Sequence, residues 1–260
     1  MRVLRTLSDL NEFVAKKKQT RKKIGFVPTM GFLHAGHISL IHLSKSLTDI
    51  TIASIYVNPS QFNDAKDYEK YPKDEAKDLE LLKHALCDAV FIPLQHEIET
   101  VKKNEYIDFG GLDKIMESRF RAGHFKGVVE VVYRLFTVVN PDKAFFGEKD
   151  FQQLQIIKRM VDELKLSIEI IGGPVIREAN GLAMSSRNAR LSKKAREKAG
   201  FIYKILNDFS EPKRVFFEKE LLALGFELEY LEQHVFGDQK RLFIAGFYNQ
   251  VRLIDNIQTN

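Results

Sequence analysis

The sequence predicts an α/β protein: a parallel β-sheet with helices on both faces, followed by a smaller α+β C-terminal domain. Three observations carry this. Short β-branched runs alternate with longer stretches of helical periodicity through the first two thirds of the chain. The composition changes at Gly172, Gly173 and Pro174. Beyond that point the helical patterns come first and the β-branched runs last, which is α+β order. The domains expected are residues 1–175 and 176–260.

The elements follow in order. The first strand runs from Lys22 to Thr29, and a helix follows from about Ile38. The next strand, DITIASIYV, ends at Asn58. A helix from about Lys73 to Leu86 sets Ala76, Leu79, Leu82 and Leu86 near one face, and the strand AVFIP comes after it. GVVEVVYRLFTVV is apolar on nearly every side and reads as a buried helix. KAFFG is a short strand, followed by a helix from about Asp150 to Leu164 and the strand SIEIIGG. After about residue 192 the pattern gives two helices and then the strands FELEYLE, KRLFIAGF and QVRLID.

Composition narrows the function classes. The chain has 260 residues, 44% hydrophobic and 29% charged, as in an ordinary soluble globular protein. Its formal charge of +5 fits a mildly basic surface or an electropositive site for phosphates or nucleic acid. The lysine-rich stretch AKKKQTRKK, residues 15–23, reads as a solvated helix end and loop. It lacks the interleaved aromatics of a nucleic-acid groove, so no nucleic-acid partner is expected. No run of about 18 apolar residues occurs, and the N-terminus MRVLRTLSDLNEF lacks the apolar segment of a secretory leader. A membrane partner is not expected. The single cysteine, Cys87, cannot form an internal disulfide, which fits a cytoplasmic location. Its apolar setting, LLKHALCDAV, predicts a buried core thiol.

The most informative segment is VPTMGFLHAGHISL. A strand ends at Thr29, a turn holds Met30 and Gly31, and a helix opens near His37. The N-terminus of a helix presents unpaired N–H groups and a positive dipole end, which suits a phosphate. His34 and His37 lie three apart, so both rings fall on one face. Gly36 between them keeps the backbone open to close approach. Two such imidazoles can donate hydrogen bonds to a leaving phosphate group. With 7 histidines and 15 glycines in the chain, chance yields H-x-G-H about 0.01 times. Zinc is the rival reading, but it needs a third ligand that the sequence does not supply in an obvious place. No metal ligands are assigned.

Three further segments hold chemistry. In VNPSQF, Asn58 and Gln61 fall just past the end of a strand, where open parallel sheets bind ligands. Gln61 can donate and accept, which suits a hydroxy acid. In FFGEKDFQQL, Gly147 and Glu148 follow a strand, Lys149 supplies a positive charge, Asp150 can cap the next helix, and Gln153 lies one turn on. In GLAMSSRN, Met184 precedes Ser185 and Ser186, which offer hydroxyls and backbone donors, and Arg187 offers a planar fork for phosphate oxygens. Arg121 and His124 of RAGHF are weaker candidates, readable equally as a structural loop.

PTMGFLHAGH resembles the signature of the pantothenate synthetases (pantoate–β-alanine ligases), within the nucleotidyltransferase superfamily that shares an H-x-G-H element with class I aminoacyl-tRNA synthetases. Further blocks match in the family's order: SIYVNPSQF, YPKDEAKDL, RAGHFKGVVEVV, FFGEKDFQQL, REANGLAMSSRN and RLIDN. The resemblance covers nearly the whole chain. The lead-in GGLDKIMESRF before Arg121 departs from the family's usual glycine-containing stretch, and the C-terminal half is compact.

The resemblance implies a Rossmann-like first domain and a C-terminal lid. It implies condensation of pantoate with β-alanine, driven by ATP, through a pantoyl-adenylate, releasing AMP and diphosphate. His34, His37, Lys149 and Arg187 would be catalytic. Met30, Gly31, Phe32, Leu33, His34, Ala35, Gly36 and His37 would bind ATP, as would Gly147, Glu148, Lys149, Asp150, Met184, Ser185, Ser186 and Arg187. Ile176 would lie against the adenine. Gln61 and Gln153 would bind pantoate, beside Asn58 and Met30. Mg²⁺ is expected to arrive with ATP, and a homodimer is implied. Met184 to Asn188 is expected to be a loop that orders on ATP and closes the lid. The alternatives are another adenylate-forming member of the superfamily and a non-catalytic basic RNA-binding protein.

Overall fold

The computed structural model describes residues 1–62, 65–102 and 107–259. The chain begins with strand β1 (Arg2–Leu4), helix α1 (Leu7–Gln19), β2 (Ile24–Thr29), α2 (Ala35–Leu47) and β3 (Ile50–Ile55). Next come α3 (Ala65–Glu69), α4 (Glu75–His84), β4 (Ala89–Phe91), α5 (Gln95–Thr100), α6 (Glu117–Phe120) and α7 (His124–Val139). Then β5 (Lys143–Gly147), α8 (Phe151–Glu163) and β6 (Glu169–Gly173) complete the first series. The remainder holds α9 (Lys193–Lys198), α10 (Phe201–Asp208), α11 (Arg214–Ala223), β7 (Phe226–Phe236), β8 (Gln239–Tyr248) and β9 (Val251–Thr259).

β1 to β6 form one parallel sheet in the order β1-β4-β3-β2-β5-β6. Successive side chains of a strand point to opposite faces. Val27, Ala53, Val90 and Phe145 accordingly share one face, packed with Leu40 and Ile41 of α2 and Leu82 of α4. Phe26 and Phe146 point the other way, each edge-on to Phe136 of α7 with ring centroids 6.3 Å apart. Helices therefore cover both faces, as a parallel sheet requires. β7, β8 and β9 form a separate antiparallel sheet. Its apolar side packs on Ile202, Ile205 and Leu206 of α10 and Leu221 of α11. The chain divides into two compact units: Met1–Glu148 with Gln152–Pro174, and Lys149–Phe151 with Val175–Asn260. Among the described residues, no helix is long and apolar enough to cross a membrane.

The predicted fold class is the observed one, with corrections at element ends. Lys22–Thr29 is not the first strand, because β1 and α1 precede it. The lysine-rich stretch is the last turn of α1 and the loop after it, and Lys16, Lys17 and Lys18 lie where the helix dipole favours cations. α4 stops at His84, two residues short of Leu86. Leu86 takes a positive φ of 56° and is 70% exposed, so it does not share the buried face with Leu82. After residue 192 three helices, not two, come before the C-terminal sheet; Ser210 and the 3₁₀ turn Glu211–Lys213, with Pro212, separate α10 from α11.

Candidate active site

All six sheet strands are parallel, so their C-terminal ends share one edge. Thr29 pairs with Ile55, and Gly147 with Gly173. Gly25 pairs with Lys143, which sets Thr29 level with Gly147. From β2 the chain moves outward through β3 and β4, then returns to place β5 on the other side of β2. The order reverses between β2 and β5, and ligands of such sheets bind at that switch point. The turns leaving it are the two richest in candidate residues.

The turn after β2 is held by hydrogen bonds from three sides. Thr29 Oγ1 donates to Ser54 O at 2.7 Å and accepts from Gly31 N at 3.2 Å. Gly31 and Phe32 both adopt positive φ, 79° and 50°. Such a conformation strains a residue with a side chain, and Phe32 is held in it by Asp78 of α4. The buried Asp78 carboxylate takes Phe32 N at 2.7 Å and Leu33 N at 2.6 Å, one on each oxygen. Burial pushes its carboxyl above the usual range, and these two backbone donors oppose that shift. Asp78 lies within YPKDEAKDL, but nothing local in the sequence assigns it this contact.

α2 opens at Ala35, with His34 as its cap, slightly earlier than the expected start near His37. The His34 imidazole takes the place of the usual serine or aspartate. Its Nδ1 accepts from Gly36 N at 3.1 Å, and His37 Nδ1 accepts from His34 N at 3.3 Å, forming a reciprocal capping box. The ring centroids lie 4.1 Å apart. With both Nδ1 atoms accepting, a neutral ring carries its proton on Nε2. Each imidazole is thereby oriented by the helix start as an Nε2–H donor.

After β3, Asn58 starts the 3₁₀ turn Pro59–Gln61. Its Oδ1 accepts from Ser60 N and Oγ, at 3.3 and 3.0 Å, and its Nδ2 donates to Gly127 O at 3.1 Å. The amide of Asn58 is thus engaged in holding the turn, whereas Gln61 remains partly exposed. The turn rests on α7, and a Cβ on Gly127 would come within 2.2 Å of Ser60 O. His124, the first residue of α7, is buried with Nδ1 2.7 Å from Gln61 O. Its Nε2 lies 3.0 Å from Arg121 Nη1, which also pairs with Glu117 Oε2 at 3.4 Å. The structure thus brings Arg121 and His124 of RAGHF to the turn that carries Gln61.

Gly147 ends β5, with open space where a Cβ would stand. Glu148–Asp150 form a 3₁₀ turn, and Lys149 Nζ lies 3.6 Å from Asp150 Oδ2. In α8, Gln153 is partly exposed, whereas its neighbour Gln152 is buried. Gln152 accepts from Glu117 N at 3.0 Å and donates to Leu112 O at 2.6 Å, tying down the segment before Arg121.

In the second unit, Arg177 to Ala183 form a small antiparallel loop closed by Glu178 N to Leu182 O, with Gly181 at φ 91°. Met184 N donates to Ile176 O, which sets Ile176 and Met184 side by side, both partly exposed. The segment expected to be a loop is a capped 3₁₀ turn, Ser186–Arg190: Ser185 Oγ accepts from Arg187 N at 3.2 Å. Ser186 and Asn188 are buried, and Asn188 Nδ2 donates to Glu178 Oε1 and Ala183 O. The block RLIDN has a structural function that the sequence did not disclose. Asp255 makes a two-pronged pair with Arg177 at 2.6 and 2.9 Å, and Asn256 Nδ2 donates to Lys149 O at 2.9 Å. Burial pushes the Asp255 carboxyl up, and the Arg177 contacts pull it back.

Comparison with known proteins decides the family. The model of the family described as pantoate-beta-alanine ligase matches residues 2–258. The chain belongs to the pantoate–β-alanine ligase family. Its relatives include the pantothenate synthetase of Porphyromonas gingivalis, 48% identical over 99% of both chains. That of Christiangramia forsetii is 43% identical over the full length of both. Among solved structures, the pantothenate synthetase of Thermus thermophilus superposes with a TM-score of 0.89 at 36% identity over 99% of both chains. The Francisella tularensis pantoate–β-alanine ligase, a complex with β-γ ATP and β-alanine, gives 0.91 at 34% identity, covering 99% of this chain and 97% of that one. As a pantoate–β-alanine ligase, the protein is an enzyme that joins those two substrates using ATP.

Proposed function

We propose that ligation proceeds through a pantoyl-adenylate. A pantoate carboxylate oxygen attacks the α-phosphorus of ATP, the bond to the bridging oxygen breaks, and diphosphate leaves. The neutral amine of β-alanine then attacks the acyl carbon. The C–N bond forms, the C–O bond to AMP breaks, and the amine loses a proton. No covalent bond to the enzyme is needed, so catalysis rests on positioning and charge stabilisation.

The observation that carries this reading is the capping box at the switch point of the sheet. Its two rings are fixed as Nε2–H donors at a helix start, the geometry that suits charge developing on phosphate oxygens. In this proposal His34 and His37, with Lys149 and Arg187, stabilise the leaving diphosphate. The turns Met30–His37 and Gly147–Asp150 and the segment Met184–Arg187 bind ATP, with Ile176 against the base. Gln61 and Gln153 read the hydroxyls and carboxylate of pantoate, and Met30 lies beside them. Asn58 serves by holding the Gln61 turn. ATP is taken as its Mg²⁺ complex. The C-terminal unit acts as a lid; slower hydrogen exchange across residues 181–191 on adding ATP supports that, and unchanged exchange removes it. A cytoplasmic homodimer completes the proposal, its assembly to be read by sedimentation.

The test of the two-step route is isotope exchange. With pantoate present and β-alanine omitted, labelled diphosphate is expected to enter ATP. Exchange that requires β-alanine would show that no free-standing adenylate forms.

A further inference from the structure

We propose that His124 is a positioning residue for pantoate: a neutral imidazole, its tautomer fixed by Arg121, whose Nδ1–H holds the backbone of Gln61. The inference rests on the reading of Gln61 as a pantoate contact and adds what sets that side chain in place.

Donors and acceptors around the ring fix its tautomer. A guanidinium has N–H groups and no acceptor. Arg121 Nη1 lies 3.0 Å from His124 Nε2, so Nε2 offers a lone pair. A carbonyl oxygen only accepts, and Gln61 O lies 2.7 Å from His124 Nδ1, so Nδ1 carries the proton. Both ring nitrogens are assigned by partners that have no choice of role, and the ring is neutral. Glu117 pairs with the same Arg121 nitrogen, and Gln152 anchors the Glu117 backbone, so the guanidinium is itself held. At the other end, the Gln61 turn is pinned by Asn58 to Gly127 O. The chain Gln152–Glu117–Arg121–His124 therefore ends on the carbonyl of the residue whose side chain meets the substrate. The tautomer is opposite to that of His34 and His37, where Nδ1 accepts.

The test uses the full-length enzyme. Labelled on its histidines with ¹⁵N, and with His124→Asn to assign the resonance, the protein is expected to show His124 protonated at Nδ1 only at neutral pH. Protonation at Nε2 alone, or at both nitrogens, overturns the proposal. In kinetics, loss of this part-buried hydrogen bond to the Gln61 carbonyl predicts that His124→Ala raises the pantoate KM about tenfold, with the ATP KM unchanged. His124→Asn keeps an N–H where Nδ1 stood and is expected to restore the pantoate KM to within about twofold of the parent. A rise in the asparagine variant equal to that in the alanine variant overturns the proposal, as does an unchanged pantoate KM in both. Gln61→Ala separates the two levels: an unchanged pantoate KM there removes Gln61 as the pantoate contact, while the tautomer of His124 would still stand.

Discussion

At the scale of single residues, the site depends on side chains whose donors and acceptors are fixed by backbone. His37 is the clearest case, since its Nδ1 closes the capping box and its proton therefore sits on Nε2. His37→Ala is expected to slow diphosphate exchange by roughly 10²–10³, the loss seen when one preorganised donor to a developing oxyanion is removed. Pantoate affinity, read by calorimetry, should change far less; a mutant with near-normal exchange would remove His37 from catalysis. Cys87 illustrates the opposite case, a reactive residue type made inert. It is buried, its Sγ lies 3.4 Å from Thr51 O and 3.2 Å from Ala89 O, either of which can accept its single S–H, and burial pushes the thiol up from 9.0 to about 11. The fold thus favours the protonated form. That contribution is complete below about 9 and is lost as pH rises through 11. Native protein near neutral pH is expected to resist thiol alkylation that the unfolded chain undergoes rapidly; equal rates would contradict the burial.

At the scale of elements, the turns that carry the site are held by residues far away in sequence. Gly127 lets α7 close onto the Gln61 turn. Gly127→Ala must displace that turn, with an expected destabilisation of about 1–3 kcal/mol for forced overpacking. The melting temperature should fall and the pantoate KM should rise together; no change in either would mean that the turn is not set by this contact. The same long-range character explains what the sequence did and did not disclose. The parallel series was legible because its strands are β-branched runs separated by periodic helices. The H-x-G-H turn was legible because strand, turn and helix start are adjacent in the chain. Asp78 was not, because it meets Phe32 and Leu33 from another element and leaves no local pattern. β1 leaves no signal in the sequence because three residues are too few to show alternation. The sequence pattern overruns α4 because Leu86 continues its apolar spacing, and only its positive φ reveals that the helix has ended.

At the scale of the whole molecule, the sheet order sets where chemistry can occur. The reversal between β2 and β5 opens the crevice to which the turns Met30–His34 and Gly147–Glu148 lead. That arrangement could not be read along the chain, because strand order depends on which runs pair. Within the second unit, Asn256 of β9 holds the backbone of Lys149, 107 positions away in the chain. These scales meet in the proposed chemistry, activation of pantoate by direct attack of its carboxylate on the α-phosphorus. The most direct measurement is the fate of the carboxylate oxygens. Pantoate labelled with ¹⁸O in both carboxylate positions is converted with ATP and β-alanine, and the products are weighed by mass spectrometry. One labelled oxygen is expected in AMP and the other in the new amide. AMP free of label, or label in the diphosphate, would contradict the account.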